Sequence, residues 1–175
     1  MSNARRGQLR FIITGGTIDS FYDSRIDTVT PNRETIVPQY IEALRLRKKP
    51  AFAVVCMKDS RRITRADLRK ILAAVEKSPQ RRIIITHGTY TMADTARYIK
   101  SSLRSPGKTV ILTGSLTPLN GFTLSDAGFN LGFAVAKAME LPPGVYICMH
   151  GRVFLPEEAA KLVSQARFIS IFSDK

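Results

Sequence analysis

Three short segments of glycine and hydroxyl-bearing residues each follow an apolar run in this chain. They are Thr14-Gly15-Gly16-Thr17, Thr86-His87-Gly88-Thr89 and Thr113-Gly114-Ser115. Glycine lets the backbone approach a ligand closely and leaves amide N–H groups exposed, and a threonine hydroxyl can act as a nucleophile or as a donor. A single Gly-Thr pair is more typical of a turn or a helix cap. Three such segments in equivalent places predict one shared binding or catalytic site.

Apolar runs alternate with helical patterns along the chain, as they do in βαβ units. Strands are predicted at residues 9–14, 51–56, 82–86, 109–113 and 145–149, and helices at 34–46, 64–77, 91–103 and 125–139. Both Thr64 with Asp67 and Thr91 with Asp94 have the spacing of a capping box. The tail is predicted to add a helix at 156–166 and a strand at 168–172. Residues 19–32 are predicted to form a long loop, and loops of this kind often serve as mobile lids.

The strands are continuous apolar runs, which predicts a mostly parallel sheet covered by helices on both faces. Right-handed crossovers then give one doubly wound α/β domain. Ligands bind such sheets at the carboxyl ends of the strands, where the three Gly-Thr segments are expected to meet.

Longer motifs extend these segments. The first continues to Ile18, the second continues as x-Thr91-Met92-x-x-Thr95-Ala96, and Ser125-Asp126-x-x-x-Asn130-Leu131 and Gly144-Val145-Tyr146 follow. In this order the motifs resemble the amino-terminal catalytic domain of the bacterial-type asparaginase/glutaminase family. The resemblance implies that residues 1–175 are this domain alone, without the smaller carboxyl-terminal domain of that family. It also implies a homo-oligomer, because the family is multimeric, and no cofactor.

The resemblance implies hydrolysis of an amide to a carboxylate and ammonia through an acyl-enzyme. By position, Thr17 is the nucleophile, and Thr89 belongs to a Thr-Lys-Asp set. Ser60 matches a serine that binds the substrate carboxylate. The turn residues expected to contact the substrate are Gly16, Gly88 and Ser115.

A lid tyrosine near the first threonine is also implied. Tyr22 lies in the corresponding loop and is the candidate, although Asp27 can match the position of the family's tyrosine instead. The alternative for Tyr22 is a simple surface aromatic.

Three positions depart from the family pattern. Tyr90 stands where the family has an aspartate that binds the substrate's α-amino group, and Arg61 replaces a neutral residue beside Ser60. The column of the family lysine falls near Leu141, so Lys137 is the nearest lysine. It is either a displaced catalytic base or a solvated helix residue. Tyr90 and Arg61 together shift the expected pocket from a zwitterion toward an anionic or uncharged substrate.

Charge is distributed unevenly along the chain. Residues 1–108 hold 22 basic and 9 acidic residues, whereas residues 109–175 hold 5 of each. This indicates either the solvated faces of helices or a surface for nucleic acid or another polyanion. No nucleic-acid-binding motif accompanies the charge.

The remaining composition predicts a protein of the cytoplasm. No apolar run approaches the roughly 20 residues that span a membrane, and residues 1–10 do not resemble a secretory signal. Cys56 and Cys148 lie in separate predicted strands, which favours reduced thiols, and no zinc-ligand spacing occurs. Three functions stay open: an amidohydrolase that uses Thr17, a catalytically weak ligand-binding relative, and a polyanion-binding module.

Overall fold

The computed structural model describes residues 8–172, so most of the segment on which the absence of a secretory signal was predicted lies outside the described residues. A six-stranded sheet in the order β4-β1-β5-β6-β7-β8 forms its centre, and all neighbouring strands are parallel except β8, which runs antiparallel to β7. The strands are β1 (Leu9–Gly15), β4 (Ala51–Lys58), β5 (Arg82–Thr86), β6 (Thr109–Thr113), β7 (Gly144–Met149) and β8 (Arg152–Phe154). The predicted mostly parallel α/β domain is therefore confirmed.

Helices cover both faces of this sheet because its strands are apolar on both sides. The helices are α1 (Val37–Ala43), α2 (Arg65–Lys77), α3 (Met92–Ser102) and α4 (Ala127–Glu140). Ile12 of β1 lies in the buried cluster that includes residues of α2 and α3, whereas Phe11 and Ile13 lie in the cluster that includes residues of α1 and α4. Successive residues of one strand thus enter two cores, as the period of a strand requires.

The chain crosses from β1 to β4 on one side and returns to β5 on the other side of β1. Connections that leave neighbouring strands in opposite directions open a crevice at the carboxyl edge of a sheet. The crevice here lies between the ends of β1 and β5, where the first two Gly-Thr segments occur.

The predicted long loop at 19–32 is a hairpin. Its strands are β2 (Ser20–Asp23) and β3 (Thr28–Pro31), which pair Tyr22 with Val29, and Asp27 at the turn has φ of 49°. The polar composition of this segment concealed a short alternating strand pair that follows directly after the 3-10 turn Thr17–Asp19.

The predicted helix at 156–166 is wrong. The segment instead forms β9 (Ala159–Leu162) and a 3-10 turn (Val163–Gln165), and β9 pairs antiparallel with β10 (Arg167–Ser170). Ala166 reverses the chain with φ of 48°. Pairing between β9 and β10 outweighs the helix propensity of the alanines, lysine and leucine in β9.

The two cap predictions had different outcomes. Thr64 accepts a hydrogen bond from the Asp67 amide at the start of α2, and the capping box is complete. At the start of α3, Thr91 caps nothing with its side chain and instead donates to the Ser60 carbonyl at 2.9 Å.

Cys56 and Cys148 are free thiols, as predicted. Within residues 8–172, no helix combines the length and the apolar character that crossing a membrane requires.

Candidate active site

The first two Gly-Thr segments are in direct backbone contact at the carboxyl edge of the sheet. Gly16 has φ of 85°, and its amide donates to the Lys58 carbonyl at 2.9 Å. A Cβ at Gly16 would lie 2.4 Å from the Gly88 nitrogen. Both the dihedral angle and the contact therefore require glycine at position 16, and the contact fixes Thr17 beside the second segment.

A cleft of about 120 Å³ opens above this contact. Its lining residues come from the ends of β1 and β5, from the hairpin β2–β3 and from the segment after β4. They are Gly16, Thr17, Ser20, Thr28, Val29, Pro31, Asp59, Ser60, Arg61, Gly88, Thr89 and Tyr90. The structure thus brings together six of the predicted site residues.

His87 is buried beneath the cleft and stabilises the second segment through hydrogen bonds of its ring. The Gly88 carbonyl, 2.8 Å from Nδ1, can only accept, so Nδ1 carries the proton and Nε2 accepts from the Thr95 hydroxyl at 3.0 Å. Complete burial lowers the pKa of His87 to about 4. The ring is therefore neutral near pH 7 and acts as a support for the turn that presents Thr89.

Lys161 reaches Thr89 from the hairpin β9–β10. Its Nζ donates to Thr89 Oγ1 at 2.7 Å. The register places Lys161 opposite Phe168, which is buried and packs on Phe154 with ring centroids 6.3 Å apart. Burial, and next the positive charge of Arg61, lower the pKa of Lys161. The amine is therefore closer to its neutral, basic form than an exposed lysine would be.

Neither of the positions considered for the lysine is among the residues that line the cleft. Leu141, in the expected column, ends α4, and its amide donates to the Lys137 carbonyl. Lys137 itself pairs with Glu140 at 2.7 Å in the last turn of α4. Lys161 was missed because residues 156–166 were assigned to a helix, which gives no reason to point this side chain at the cleft. The alternation of a strand with buried Ala159 was the available signal.

Tyr90 lies at the rim of the cleft and does not fill its floor, because about half of its surface is exposed. Its ring is contacted by two cations. The Arg61 guanidinium lies 4.8 Å from the ring centroid and the Lys161 ammonium lies 4.0 Å from it. Asp59 binds Arg61 through Nε at 3.0 Å and a terminal nitrogen at 2.7 Å. The expected aspartate position therefore carries an uncharged ring that holds two positive groups.

Comparison with known proteins agrees with this geometry. The family model for the amino-terminal domain of asparaginase matches residues 8–171. The chain belongs to the asparaginase family. An L-asparaginase of Thermococcus kodakarensis is 37% identical over 82 residues, which are 47% of this chain and 25% of that protein. A glutamyl-tRNA(Gln) amidotransferase component from Metallosphaera sedula is 32% identical over 155 residues, 83% of this chain and 34% of that protein.

Solved structures of the family share the fold. The thermostable L-asparaginase from Thermococcus kodakarensis superposes with a TM-score of 0.78 at 29% identity, covering 94% of this chain and 51% of that chain. L-asparaginase I from Vibrio cholerae superposes with a TM-score of 0.78 at 26% identity, covering 93% of this chain and 51% of that chain. The chain thus spans about half the length of these structures and about a third or less of the relatives matched by sequence.

Ser60, which the asparaginase resemblance implies as a ligand of the substrate carboxylate, lies in the wall of the cleft. It is 2% exposed, lines the cleft and lies against Gly88, where a Cβ would come within 2.7 Å of the serine oxygen. Its hydroxyl oxygen is buried and has no hydrogen-bond partner among residues 8–172. A buried hydroxyl without a partner is costly, so a ligand group that accepts this hydrogen bond would be favoured.

Tyr22 and Ser115 are placed outside the cleft. Tyr22 donates to Asp27, the other residue considered for its column, and this hydrogen bond raises the pKa of Tyr22. The ring faces a separate hollow beside Phe122. Ser115 is fully buried and donates to the Thr117 carbonyl at 2.5 Å. In this asparaginase-family chain the third Gly-Thr segment therefore supports the second, because a Cβ at Gly114 would lie 2.3 Å from the His87 carbonyl oxygen.

A carboxylate behind the third segment fixes its shape. Asp126 accepts from the amides of Leu116 at 3.0 Å and Thr117 at 2.9 Å, and Asn130 donates to the Gly114 carbonyl at 3.0 Å. Metal-binding groups of three or more histidine, cysteine or carboxylate residues do not occur in the part of the chain that the structure describes.

Proposed function

We propose that this protein hydrolyses a small primary amide to a carboxylate and ammonia, with Thr17 as the nucleophile and the Thr89–Lys161 pair as the proton-transfer group. The observation that carries the proposal is the 2.7 Å hydrogen bond from Lys161 to Thr89 at the cleft that Thr17 lines. A hydroxyl is a weak nucleophile at neutral pH and needs a nearby base.

The chemistry proceeds in two steps. The Thr17 oxygen attacks the amide carbon, the C–N bond breaks, and the nitrogen leaves as ammonia after it receives a proton. Water then attacks the resulting ester, which releases the carboxylic acid and restores the Thr17 hydroxyl. Lys161 can serve both steps because burial lowers the pKa of its amine, which accepts a proton only in its neutral form.

Ammonia release from a panel of primary amides tests this function. Removal of a general acid–base group costs about 10²- to 10⁴-fold in rate. We expect Lys161→Met to lose activity in that range and Thr17→Ala to lose all measurable turnover. Lys137→Met is the matched control, because its amine is paired with Glu140. Equal losses in the two lysine variants, or turnover that survives Thr17→Ala, would exclude this mechanism.

The other interpretations are affected differently by the structure. A catalytically weak relative was favoured by Tyr90 and by the apparent loss of the lysine, and Lys161 removes the second reason. A polyanion-binding surface, a homo-oligomer and a cytoplasmic location remain predictions. Binding of nucleic acid with a steep salt dependence would support the first of these.

A further inference from the structure

We propose that the preferred substrate is a primary amide that carries a carboxylate and lacks a free ammonium group, of which the monoamide of a small dicarboxylic acid is the simplest case. This inference rests on the proposed hydrolase function and specifies its substrate class. Three features of the cleft lead to it: an engaged carboxylate, two cations around one ring, and a buried hydroxyl without a partner.

Asp59 is the one carboxylate among the described residues that line the cleft, and it is already engaged. Its Oδ1 accepts from the Arg61 amide at 2.8 Å and from Nε at 3.0 Å, while Oδ2 accepts from the guanidinium at 2.7 Å. A bidentate pair of this kind is strong and directional. The Arg61 guanidinium already neutralises Asp59, so a ligand ammonium group would gain little net attraction from this pair.

Two positive groups contact Tyr90 at the rim of the cleft. Arg61 and Lys161 both contact the Tyr90 ring, at 4.8 Å and 4.0 Å from its centroid. Burial and then Arg61 lower the pKa of Lys161, whereas Asp59 acts in the opposite direction. A ligand ammonium group here would be repelled by Arg61 and by the protonated form of Lys161, whereas a carboxylate would be attracted by them.

Hydrogen-bond donors for a carboxylate are present on the described residues. The Ser60 hydroxyl is buried in the cleft wall and unpartnered within residues 8–172. Arg61 uses two of its five guanidinium N–H groups on Asp59, which leaves donors that point away from that carboxylate. One carboxylate could therefore satisfy Ser60 and the outer edge of Arg61 together.

Succinamate and asparagine test the inference directly, because succinamate is asparagine without its α-ammonium group. We expect kcat/KM for succinamate to exceed that for asparagine by at least about tenfold. Arg61→Gln removes one cation and frees Asp59, so the preference should fall, chiefly through KM. Arg62→Gln removes the same charge from the neighbouring exposed residue, which does not line the cleft, and should retain the preference. Tyr90→Asp should shift the preference toward asparagine.

Binding to the Thr17→Ala variant, measured by calorimetry with succinamate and with asparagine, separates this inference from the proposed function. A preference for asparagine in turnover or in binding overturns the inference and leaves the hydrolase intact. Absence of Thr17-dependent turnover on every amide refutes the hydrolase. In that case tighter binding of succinamate would still support the ligand class, and equal or weaker binding would overturn it.

Discussion

Protonation of His87 is expected to destabilise this protein in mildly acidic solution. The ring is fully buried beneath the cleft, and desolvation is the main cause that lowers its pKa from 6.5 to about 4, while the hydrogen bond with Gly88 acts in the opposite direction. Charging Nε2 would place a cation against the Thr95 hydroxyl, and no carboxylate among residues 8–172 is hydrogen-bonded to the ring. The folded state therefore resists a proton that the unfolded chain accepts readily.

The magnitude follows from the displacement of the pKa. One pKa unit corresponds to about 1.4 kcal/mol, so a displacement from 6.5 to about 4 is worth about 3 kcal/mol. In the window between these values the unfolded state binds the proton and the folded state does not. The free energy of unfolding consequently falls as pH falls from 6.5 to 4. Above pH 6.5 His87 is neutral in both states and no longer lowers stability.

Urea unfolding at several pH values across this window measures the effect. Asp67 does not obscure it, because its ion pair with Lys58 lowers the pKa of Asp67 to about 2 and its contribution is lost only at more acidic pH. We expect His87→Gln to lower stability and to remove most of the slope between pH 6.5 and 4. His150→Gln removes the chain's other histidine, and the slope should persist in it. Equal slopes in wild type and His87→Gln would refute the reasoning.

Two further substitutions test how the site is positioned. Gly16→Ala would force a Cβ to within 2.4 Å of a backbone nitrogen at a φ of 85°. We expect this variant to lose at least about 2 kcal/mol of unfolding free energy, measured by chemical denaturation. Gly132→Ala, in open space on α4, is the control and should change stability by less than about 1 kcal/mol. Phe168→Ala removes a buried ring and should release the hairpin that carries Lys161. Ammonia release should fall further in this variant than in Phe172→Ala, which removes an exposed ring. Equal activities would show that the packing of Phe168 does not position the amine.

The ends of the parallel strands could be predicted from sequence because each signal there is local. An apolar run followed by glycine and threonine marks a strand end, and the topology of a doubly wound sheet then brings such ends together. Thr17 and Thr89 were predicted to meet in this way and Ser60 was implied by the family resemblance; all three line one cleft. The same reasoning placed Ser115 there as well, because sequence cannot distinguish a turn that faces a ligand from one packed behind it.

The position of Lys161 could not be obtained in the same way, because it depends on contacts between segments distant in sequence. Glu158 accepts from the Leu155 amide at 2.7 Å and from the Ser170 hydroxyl at 2.7 Å, which joins the end of β10 to the segment that precedes β9. Buried Phe168 then fixes which face of β9 points inward. A local pattern rich in alanine, lysine and leucine favours a helix, and it does not indicate the contacts of Glu158 and Phe168 that hold this segment as a strand.

Tyr90 couples two properties that are usually discussed separately, the charge that the cleft accepts and the basicity of its amine. A carboxylate at this position would lie between Arg61 and Lys161, offer a partner to a ligand ammonium group and favour the charged form of Lys161. The tyrosine ring attracts both cations without accepting a proton from either at neutral pH. Asp59 already opposes the lowered pKa of Lys161, and a second carboxylate would add to that effect. Under the proposed function, Tyr90 in place of an aspartate would therefore turn the cleft away from zwitterions and also keep Lys161 closer to its neutral, proton-accepting form.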